Sequence, residues 1–226
     1  YSNPEIRYSN FKRDQLNLPD NTFLIGIPHT LFKFHPQYDH ILHRILEEIP
    51  NAIFFLAEGK KNETEQLKSR WEKISTLILK RTIIYPFVDF DNFLEILKSM
   101  DIMLDPFFFG MGNTFFQSMA FGIPVVTMPS NHARTRSVFA GYKQMNIKDP
   151  PVANSPEEYV SICKKLAFNP SYRENISKQI LSESGEKLFN DKIIHKEYID
   201  FFNQSINAAR NGELLSSDWK SKDAGD

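Results

Sequence analysis

The sequence of 226 residues is poor in thiols: Cys163 is its only cysteine. A single thiol excludes a disulfide framework and a cysteine-rich metal cluster. Its position in the helical pattern EEYVSICKKLAF predicts a small buried side chain. Long apolar runs are missing too, so we expect no membrane span. The opening residues YSNPEIRYSNFKRDQ lack the apolar core of a signal peptide, which predicts a cytoplasmic protein, although the numbering can begin inside a longer chain.

An excess of charge of either sign is also absent. Lysine and arginine number 27, aspartate and glutamate 28, and the net charge is −1. No broad electrostatic field therefore attracts nucleic acid or an anionic membrane, and we expect neither as a partner. What the sequence does contain, 41% hydrophobic and 24% charged residues, is typical of a globular protein.

Short apolar runs alternate with longer amphipathic segments, without a repeat of fixed period. The short runs are β-branched or aromatic and lack polar alternation, as strands covered on both faces do. They span 23–27, 52–57, 82–85, 102–104 and 124–128. Helical periodicity marks 37–48, 63–79, 91–99, 113–121 and 133–142. This order predicts the α/β class, with a Rossmann-like doubly wound parallel sheet.

After the last predicted strand the pattern is helical only. Three segments follow without an intervening strand, at 156–168, 171–184 and 192–208. The predicted organisation is an entry segment at 1–20, a Rossmann-like domain at 21–155, C-terminal helices packing on it at 156–210 and a polar tail at 211–226.

Two loops of this arrangement have unusual sequences. In an open sheet, ligands bind beyond the carboxyl ends of the strands, where the strand order reverses. With the common order 3-2-1-4-5, strands one and four are neighbours at that point. The loops PHTLFKFHP and DPFFFGMGNT, which follow these strands, should therefore line one crevice.

The chemistry of the two loops is complementary. Gly110 and Gly112 permit positive φ and a close approach of backbone to ligand, and Asn113 and Thr114 begin a predicted helix. A helix start offers free N–H groups and partial positive charge, which suit a phosphate. Lys33 from the facing loop would add a full charge against the same anion. The alternative is that Asn113 or Thr114 only caps the helix and Lys33 is a solvated surface charge.

Other phosphate motifs and catalytic sets do not fit the sequence. GMGNTF lacks the third glycine of a dinucleotide fingerprint, and no G-K-[ST] follows as in a P-loop. The sequence shows no acid pair, Ser-His-Asp set or metal-ligand cluster.

Two long stretches carry a resemblance to a known family. They are LNLPDNTFLIGIPHTLFKFHPQYDHILHRILEEIPNAIFFL and SMDIMLDPFFFGMGNTFFQSMAFGIPVVTMPS. In order and spacing they resemble the carboxyl-terminal catalytic lobe of the O-GlcNAc transferase family, including its bacterial adhesin-type glucosyltransferases. The resemblance covers about 13–202. It implies the C-terminal, nucleotide-sugar-binding lobe of a GT-B glycosyltransferase.

The resemblance implies roles at the phosphate end of the site. Lys33 matches the lysine that the family directs at the diphosphate, and so is the predicted catalytic residue. Asn113, Thr114 and the amide of Phe115, with Gly112 before them, would hold the diphosphate. The adhesin-type enzymes have a similar Gly-Asn-Thr sequence.

The resemblance also implies roles at the nucleoside end. Gln117 stands where the animal enzyme has an aspartate against the ribose, so a charge-assisted contact is lost. Phe93 aligns with a histidine that stacks on uracil, or belongs to the core, and the backbone of Val88 would pair with the base edge. His29 could reach the diphosphate or acceptor, although loop histidines are usually solvated.

Charged residues near the same rim have less specific interpretations. His132, Arg134 and Arg136 follow the fifth strand. Arg136 matches a family arginine, and a structural salt bridge is the equal alternative. Asp105 and Asp101 are expected to support the glycine loop and not to act as bases.

The resemblance implies an inverting, UDP-sugar-dependent glycosyltransferase that modifies a protein or glycan acceptor. It needs no cofactor and no metal, since lysine and helix start supply the positive charge. An N-terminal GT-B lobe or a tetratricopeptide region would be the missing partner. The alternative is a non-catalytic Rossmann-like module that binds a nucleotide or a protein, which the missing lobe and Gln117 favour. The transferred sugar stays open.

Overall fold

A five-stranded parallel sheet forms the centre of the molecule, in a computed structural model that describes residues 2–5, 9, 11–189 and 191–221. Its strand order is β3-β2-β1-β4-β5. The strands are β1 Phe23–Gly26, β2 Ala52–Ala57, β3 Thr82–Tyr85, β4 Ile102–Leu104 and β5 Val125–Val126. The predicted order is therefore confirmed. Residues 1, 6–8 and 10 of the predicted entry segment and 222–226 of the predicted tail lie outside the described residues.

Nine α-helices are present in the described part of the chain. They are α1 Pro36–Glu48, α2 Lys61–Ile74, α3 Thr76–Lys80, α4 Phe90–Lys98, α5 Asn113–Ala120, α6 Ser137–Gln144, α7 Pro156–Phe168, α8 Pro170–Ser184 and α9 Ile193–Arg210. Short 3-10 turns lie at Arg13–Leu16, Leu31–Lys33 and Ala133–Thr135, and a π-helical turn follows α8 at Gly185–Phe189. No helix of these described residues is long and apolar enough to cross a membrane.

The sheet is covered on both faces. Ile25 and Leu104 belong to a core shared with α1, α2 and α7, whereas Leu24 and Met103 belong to a core shared with α4, α5, α6 and α8. Successive strand residues point to opposite faces, so both faces of β1 and β4 are buried, whereas the residues of β3 are only partly buried. Cys163 is fully buried in the first core, as expected.

The helix predicted at 63–79 is wrong in one respect, because the chain divides it into α2 and α3. Ser75 has extended φ and ψ of −166° and 116°, and its hydroxyl accepts a hydrogen bond from the Leu77 amide at 3.2 Å. Serine competes with helical hydrogen bonding in this way and favours a cap. The apolar periodicity continues through the break and conceals it.

The helix predicted at 133–142 is also divided, into a 3-10 turn and α6. Thr135 is buried. Its hydroxyl accepts a hydrogen bond from the Ser130 amide at 3.0 Å and donates one to the His132 carbonyl at 2.9 Å. These local bonds hold the turn apart from the helix that follows.

The last helix, α9, differs from the others. None of its residues is buried. Its ring contacts within the described residues are local: Phe201 meets Trp219 at 5.2 Å, and the Trp219 indole donates to Gln204 at 2.9 Å. The C-terminal segment therefore folds back along α9.

Candidate functional site

The carboxyl ends of β1 and β4 bring the two unusual loops together. Ile25 pairs with Ile102 and Gly26 with Met103 in parallel register. Both strands therefore end at the same edge of the sheet, and the chain leaving each one enters the same crevice.

Lys33 reaches the glycine loop directly. It ends the 3-10 turn Leu31–Lys33, and its ammonium donates to the Gly110 carbonyl at 2.7 Å. The same ammonium lies 4.7 Å from the centroid of the Phe109 ring. Burial lowers the pKa of Lys33, and the charge of Asp105 opposes that shift. The structure thus places a lysine charge at the loop from which α5 begins.

Asp105 stabilises the conformation of the glycine loop. It is buried, and one carboxylate oxygen accepts from the Met111 amide while the other accepts from the Thr127 hydroxyl, both at 2.6 Å. Burial raises the pKa of Asp105 to about 6, against the lowering effect of these bonds and of Lys33. The prediction that Asp105 supports the loop is confirmed by these contacts.

Asp101 does not support that loop. Its carboxylate accepts from the Leu24 amide at 2.8 Å and lies 3.5 Å from Arg13. Asp101 precedes β4, at the opposite end of the sheet from the crevice. The expectation for Asp101 is therefore wrong, because it stabilises the amino ends of the central strands.

The two loop glycines serve different purposes. Neither adopts the positive φ that glycine permits, which among the described glycines is found at Gly122 and Gly212. A side chain on Gly110 would lie 3.0 Å from Asp105 and 3.1 Å from the Arg134 carbonyl. One on Gly112 would meet nothing within 4 Å. Gly110 is thus required by close packing, whereas Gly112 borders open space.

The start of α5 is open. Gly112 is its N-cap residue and offers no side-chain cap. The amides of Gly112, Asn113 and Thr114 donate no hydrogen bond within the described part of the chain. Asn113 is exposed and Thr114 half-buried. The Phe115 amide, in contrast, already donates to the Gly112 carbonyl at 3.0 Å. Three consecutive amides at the start of α5 therefore have no hydrogen-bond partner among the described residues, and Phe115 is not one of them.

His29 is buried, so its expected solvation is wrong. Its Nε2 donates to the Leu104 carbonyl at 2.7 Å, which ties the end of β1 to the end of β4. Burial lowers the pKa of His29 to about 4, with the nearby Lys33 charge acting in the same direction. His29 is therefore neutral at physiological pH.

An apolar pocket lies beyond β2 and β3. Its volume is about 310 Å³, and Val88 and Phe93 both line it. Phe93 is half-buried and also packs against the second core. Phe87, 93% exposed, and Phe90 line the same pocket and were missed. The aromatic spacing in YPFVDFDNF was the signal that could have identified them.

Gln117 and Arg136 lie apart from this pocket. Gln117 is buried on α5 at 6% exposure. Arg136 donates to the Ser130 carbonyl at 2.9 Å and lies 5.0 Å from the centroid of the Phe139 ring. Arg136 thus contacts a backbone carbonyl and an aromatic ring, and it forms no ion pair among the described residues.

Metal ligation has no visible support in the described ranges. They contain no group of three or more histidine, cysteine, aspartate or glutamate side chains that could hold a metal ion. The positive charge at the crevice comes instead from Lys33 and from the start of α5.

Sequence comparison gives one family. A model of glycosyl transferase family 41 matches residues 7–198. The chain is 24% identical over 163 residues to two UDP-glucose:protein N-beta-glucosyltransferases of Actinobacillus pleuropneumoniae, from serotypes 5b and 7. The match covers 71% of this chain and 26% of each relative, so the chain spans about a quarter of their length.

Solved structures share the fold. An O-GlcNAc transferase mutant from Thermobaculum terrenum has a TM-score of 0.66 and 17% identity, over 74% of this chain and 33% of that one. The C-terminal domain of a glycosyl transferase group 1 protein from Francisella tularensis has a TM-score of 0.58 and 15% identity, over 79% of this chain and 94% of that one. The fold is therefore that of the C-terminal lobe of GT-B glycosyltransferases, and the chain belongs to glycosyl transferase family 41.

Proposed function

We propose that this chain is the nucleotide-sugar-binding lobe of a glycosyltransferase and that it stabilises the departing diphosphate of a UDP-sugar. The observation that carries the proposal is the contact between Lys33 and Gly110, beside the unpaired amides of Gly112, Asn113 and Thr114. A lysine charge and the start of a helix lie together at this loop, and both favour the binding of a diphosphate.

The chemistry follows from that convergence. An acceptor nucleophile attacks the anomeric carbon, the bond from that carbon to the diphosphate oxygen breaks, and the electron pair moves to the diphosphate. Lys33 and the start of α5 stabilise the charge that develops, which is commonly a large part of catalysis. We expect no metal ion and no cofactor, since these groups supply the positive charge.

The nucleoside has a matching apolar pocket. We propose that uracil enters the pocket that Phe93 and Val88 line, with the Phe93 ring against the base. Gln117 is the proposed ribose contact, although its burial requires the amide to turn toward the crevice. His29, neutral and bonded to Leu104, is proposed to border the diphosphate or acceptor.

The donor and acceptor are proposals that rest on the relatives. Proteins named UDP-glucose:protein N-beta-glucosyltransferase match this chain over about a quarter of their length, at 26%. We therefore propose UDP-glucose as the first donor to test, and cytoplasmic protein glycosylation as the process. An N-terminal GT-B lobe would complete the active site.

A non-catalytic nucleotide-binding module is the second candidate. Gln117 stands where the animal enzyme of the family has an aspartate, and its side chain is buried; both features favour this candidate. Release of UDP from UDP-glucose or UDP-GlcNAc separates the two candidates, because a binding module retains the intact donor and an enzyme hydrolyses or transfers the sugar.

The placement of the diphosphate has a direct test. Lys33→Ala should weaken UDP binding by about 10-fold to 100-fold, since a hydrogen bond to a charged group contributes about 1.5–3 kcal/mol. Calorimetric titration measures this change. Affinity for uridine, which lacks the diphosphate, should stay the same.

Lys98→Ala is the matched control. Lys98 is exposed on α4 and pairs with Glu95 at 3.5 Å. Its removal deletes the same charge from the surface and should leave UDP binding unchanged. If Lys33→Ala behaves like Lys98→Ala, the diphosphate does not lie at Lys33.

A further inference from the structure

A second pocket lies across the glycine loop from the proposed diphosphate site. Its volume is about 600 Å³, which is within the range of ligand pockets. Phe107 and Phe108, which follow β4, and Met128, which follows β5, form its apolar part. The pocket is therefore at the same edge of the sheet as Lys33.

Gly110 of the glycine loop connects this pocket to Lys33 through two hydrogen bonds. The Gly110 amide donates to the Arg134 carbonyl at 2.9 Å, and the Gly110 carbonyl accepts from Lys33 at 2.7 Å. Arg134 lines the pocket, and its Nε donates to the Phe108 carbonyl at 2.8 Å. Gly110 thus contacts both Lys33 and a residue that lines the pocket, so the pocket adjoins the proposed diphosphate site.

The pocket is electropositive. Arg134 and His132 line it, and no aspartate or glutamate does. Among the described residues, the two terminal nitrogens of Arg134 and the His132 ring form no hydrogen bond or ion pair. The amide side chain of Gln37, at the start of α1, is likewise unused. A planar guanidinium with both outer nitrogens free suits a carboxylate.

Carboxylates near the pocket are already engaged. Glu158 accepts from the backbone and side-chain nitrogens of Asn154 at 2.7 and 3.1 Å. Glu157 pairs with Arg44 at 3.2 Å. Neither neutralises Arg134.

The apolar lining of the pocket indicates which kind of acidic ligand would fit there. Sugars favour an open aromatic face, but the Phe108 ring is in contact with His35 at a centroid distance of 4.1 Å. The remaining apolar lining includes Ile41 and Met128, which suit aliphatic or aromatic side chains. An arginine above an apolar floor fits a peptide that carries an acidic residue near a hydrophobic one.

We propose that this pocket binds an acidic side chain of a protein acceptor and so selects the sequence around the modified residue. The inference rests on the proposed glycosyltransferase function. It assigns Arg134 as the residue that recognises the carboxylate, and the floor formed by Phe107 and Met128 as the contact for the adjacent hydrophobic side chain.

Two capped peptides test the proposal, Ala-Asn-Ala-Glu-Phe and its neutral partner Ala-Asn-Ala-Gln-Phe. Each is titrated, as a fluorescent conjugate, into the UDP-loaded protein. The acidic peptide should bind at least about tenfold more tightly than the neutral one. Arg134→Ala should abolish this difference, whereas Arg210→Ala, which removes an exposed arginine at the end of α9, should preserve it.

Other outcomes overturn the proposal. Equal binding of both peptides, binding of neither, or a difference that survives Arg134→Ala would each exclude recognition of an acidic side chain at Arg134. Displacement of the acidic peptide by methyl glucuronide at equal concentration would assign the pocket to an acidic sugar instead. UDP affinity, measured separately, should be unchanged in Arg134→Ala. If the unmodified protein does not bind UDP, the proposed function itself is contradicted.

Discussion

His29 and Asp105 are both buried and titratable. The folding stability that depends on each of them changes with pH in opposite directions. Burial disfavours the charged form of both, so it lowers the pKa of His29 to about 4 and raises that of Asp105 to about 6. The stability that depends on His29 is complete above pH 6.5 and is lost as pH falls toward 4. The stability that depends on Asp105 is complete below pH 3.8 and is lost as pH rises through 6.

Single substitutions should separate these opposing effects. At about 1.36 kcal/mol per pKa unit, each contributes roughly 3 kcal/mol across its range. His29→Gln should gain stability relative to the unmodified protein between pH 7 and pH 4.5, and Asp105→Asn should lose stability over the same interval. Urea unfolding at the two pH values measures both changes.

His40→Gln is the control for these variants. His40 is exposed on α1, so its replacement should leave the pH dependence close to that of the unmodified protein. Changes of the same sign in the His29 and Asp105 variants would contradict the opposing effects of burial.

The sequence predicted those features of the site that depend on the strand order alone. Lys33 and Gly110 are far apart in the chain, but the switch point predicted that their loops would meet. The burial of His29 was not predictable, because it depends on the exact end of β4 and on the Leu104 carbonyl that accepts its hydrogen bond. The hydrogen bond from the Phe115 amide to the Gly112 carbonyl was not predictable either, since no side-chain pattern reveals this first turn.

At the scale of single elements, β5 is the shortest strand and has an unusual support. It spans Val125–Val126 only. The buried hydroxyl of Tyr142 on α6 accepts from the Val125 amide at 2.7 Å and donates to the Val125 carbonyl at 2.9 Å. A helix side chain therefore takes the position of an adjacent strand at this edge of the sheet.

Tyr142→Phe should lower the free energy of unfolding by about 1–3 kcal/mol, because it leaves two buried backbone groups of Val125 without a partner. Denaturant unfolding measures this loss. Tyr172→Phe is the control, since its hydroxyl donates to the Asp149 carbonyl at 2.9 Å near the surface. An equal, small effect of both substitutions would show that the Tyr142 hydroxyl does not support β5.

The elements themselves were predicted with uneven success. β2, β3 and β4 have the expected bounds, because strands covered on both faces are short apolar runs with sharp polar ends, and this pattern holds even for β3, which is only partly buried. β5 is shorter than the apolar run PVVTM, since Thr127 leaves β4 and bridges Val152 instead. The break at Ser75 was missed because a cap inside a continuous apolar pattern leaves the helical period intact.

On the scale of the whole molecule, α8 and α9 contrast sharply. Both follow the sheet in sequence, but Ile176 on α8 is fully buried in the second core, whereas Ile199 on α9 is 62% exposed. The exposed residues of α9 also include Tyr198 and Phe202, whose rings stack with centroids 6.1 Å apart. The core of this lobe is therefore complete without α9.

Truncating one isoleucine to alanine on each of these two helices tests whether α8 belongs to the core and α9 does not. Ile199→Ala should change the free energy of unfolding by less than about 0.5 kcal/mol, because the side chain has no buried contacts to lose. Ile176→Ala should cost about 2–5 kcal/mol, since it opens a cavity between α8 and the sheet. Denaturant unfolding, with UDP affinity measured in parallel, compares the two. A cost for Ile199→Ala as large as that for Ile176→Ala would mean that α9 packs on the lobe in solution and contributes to its core.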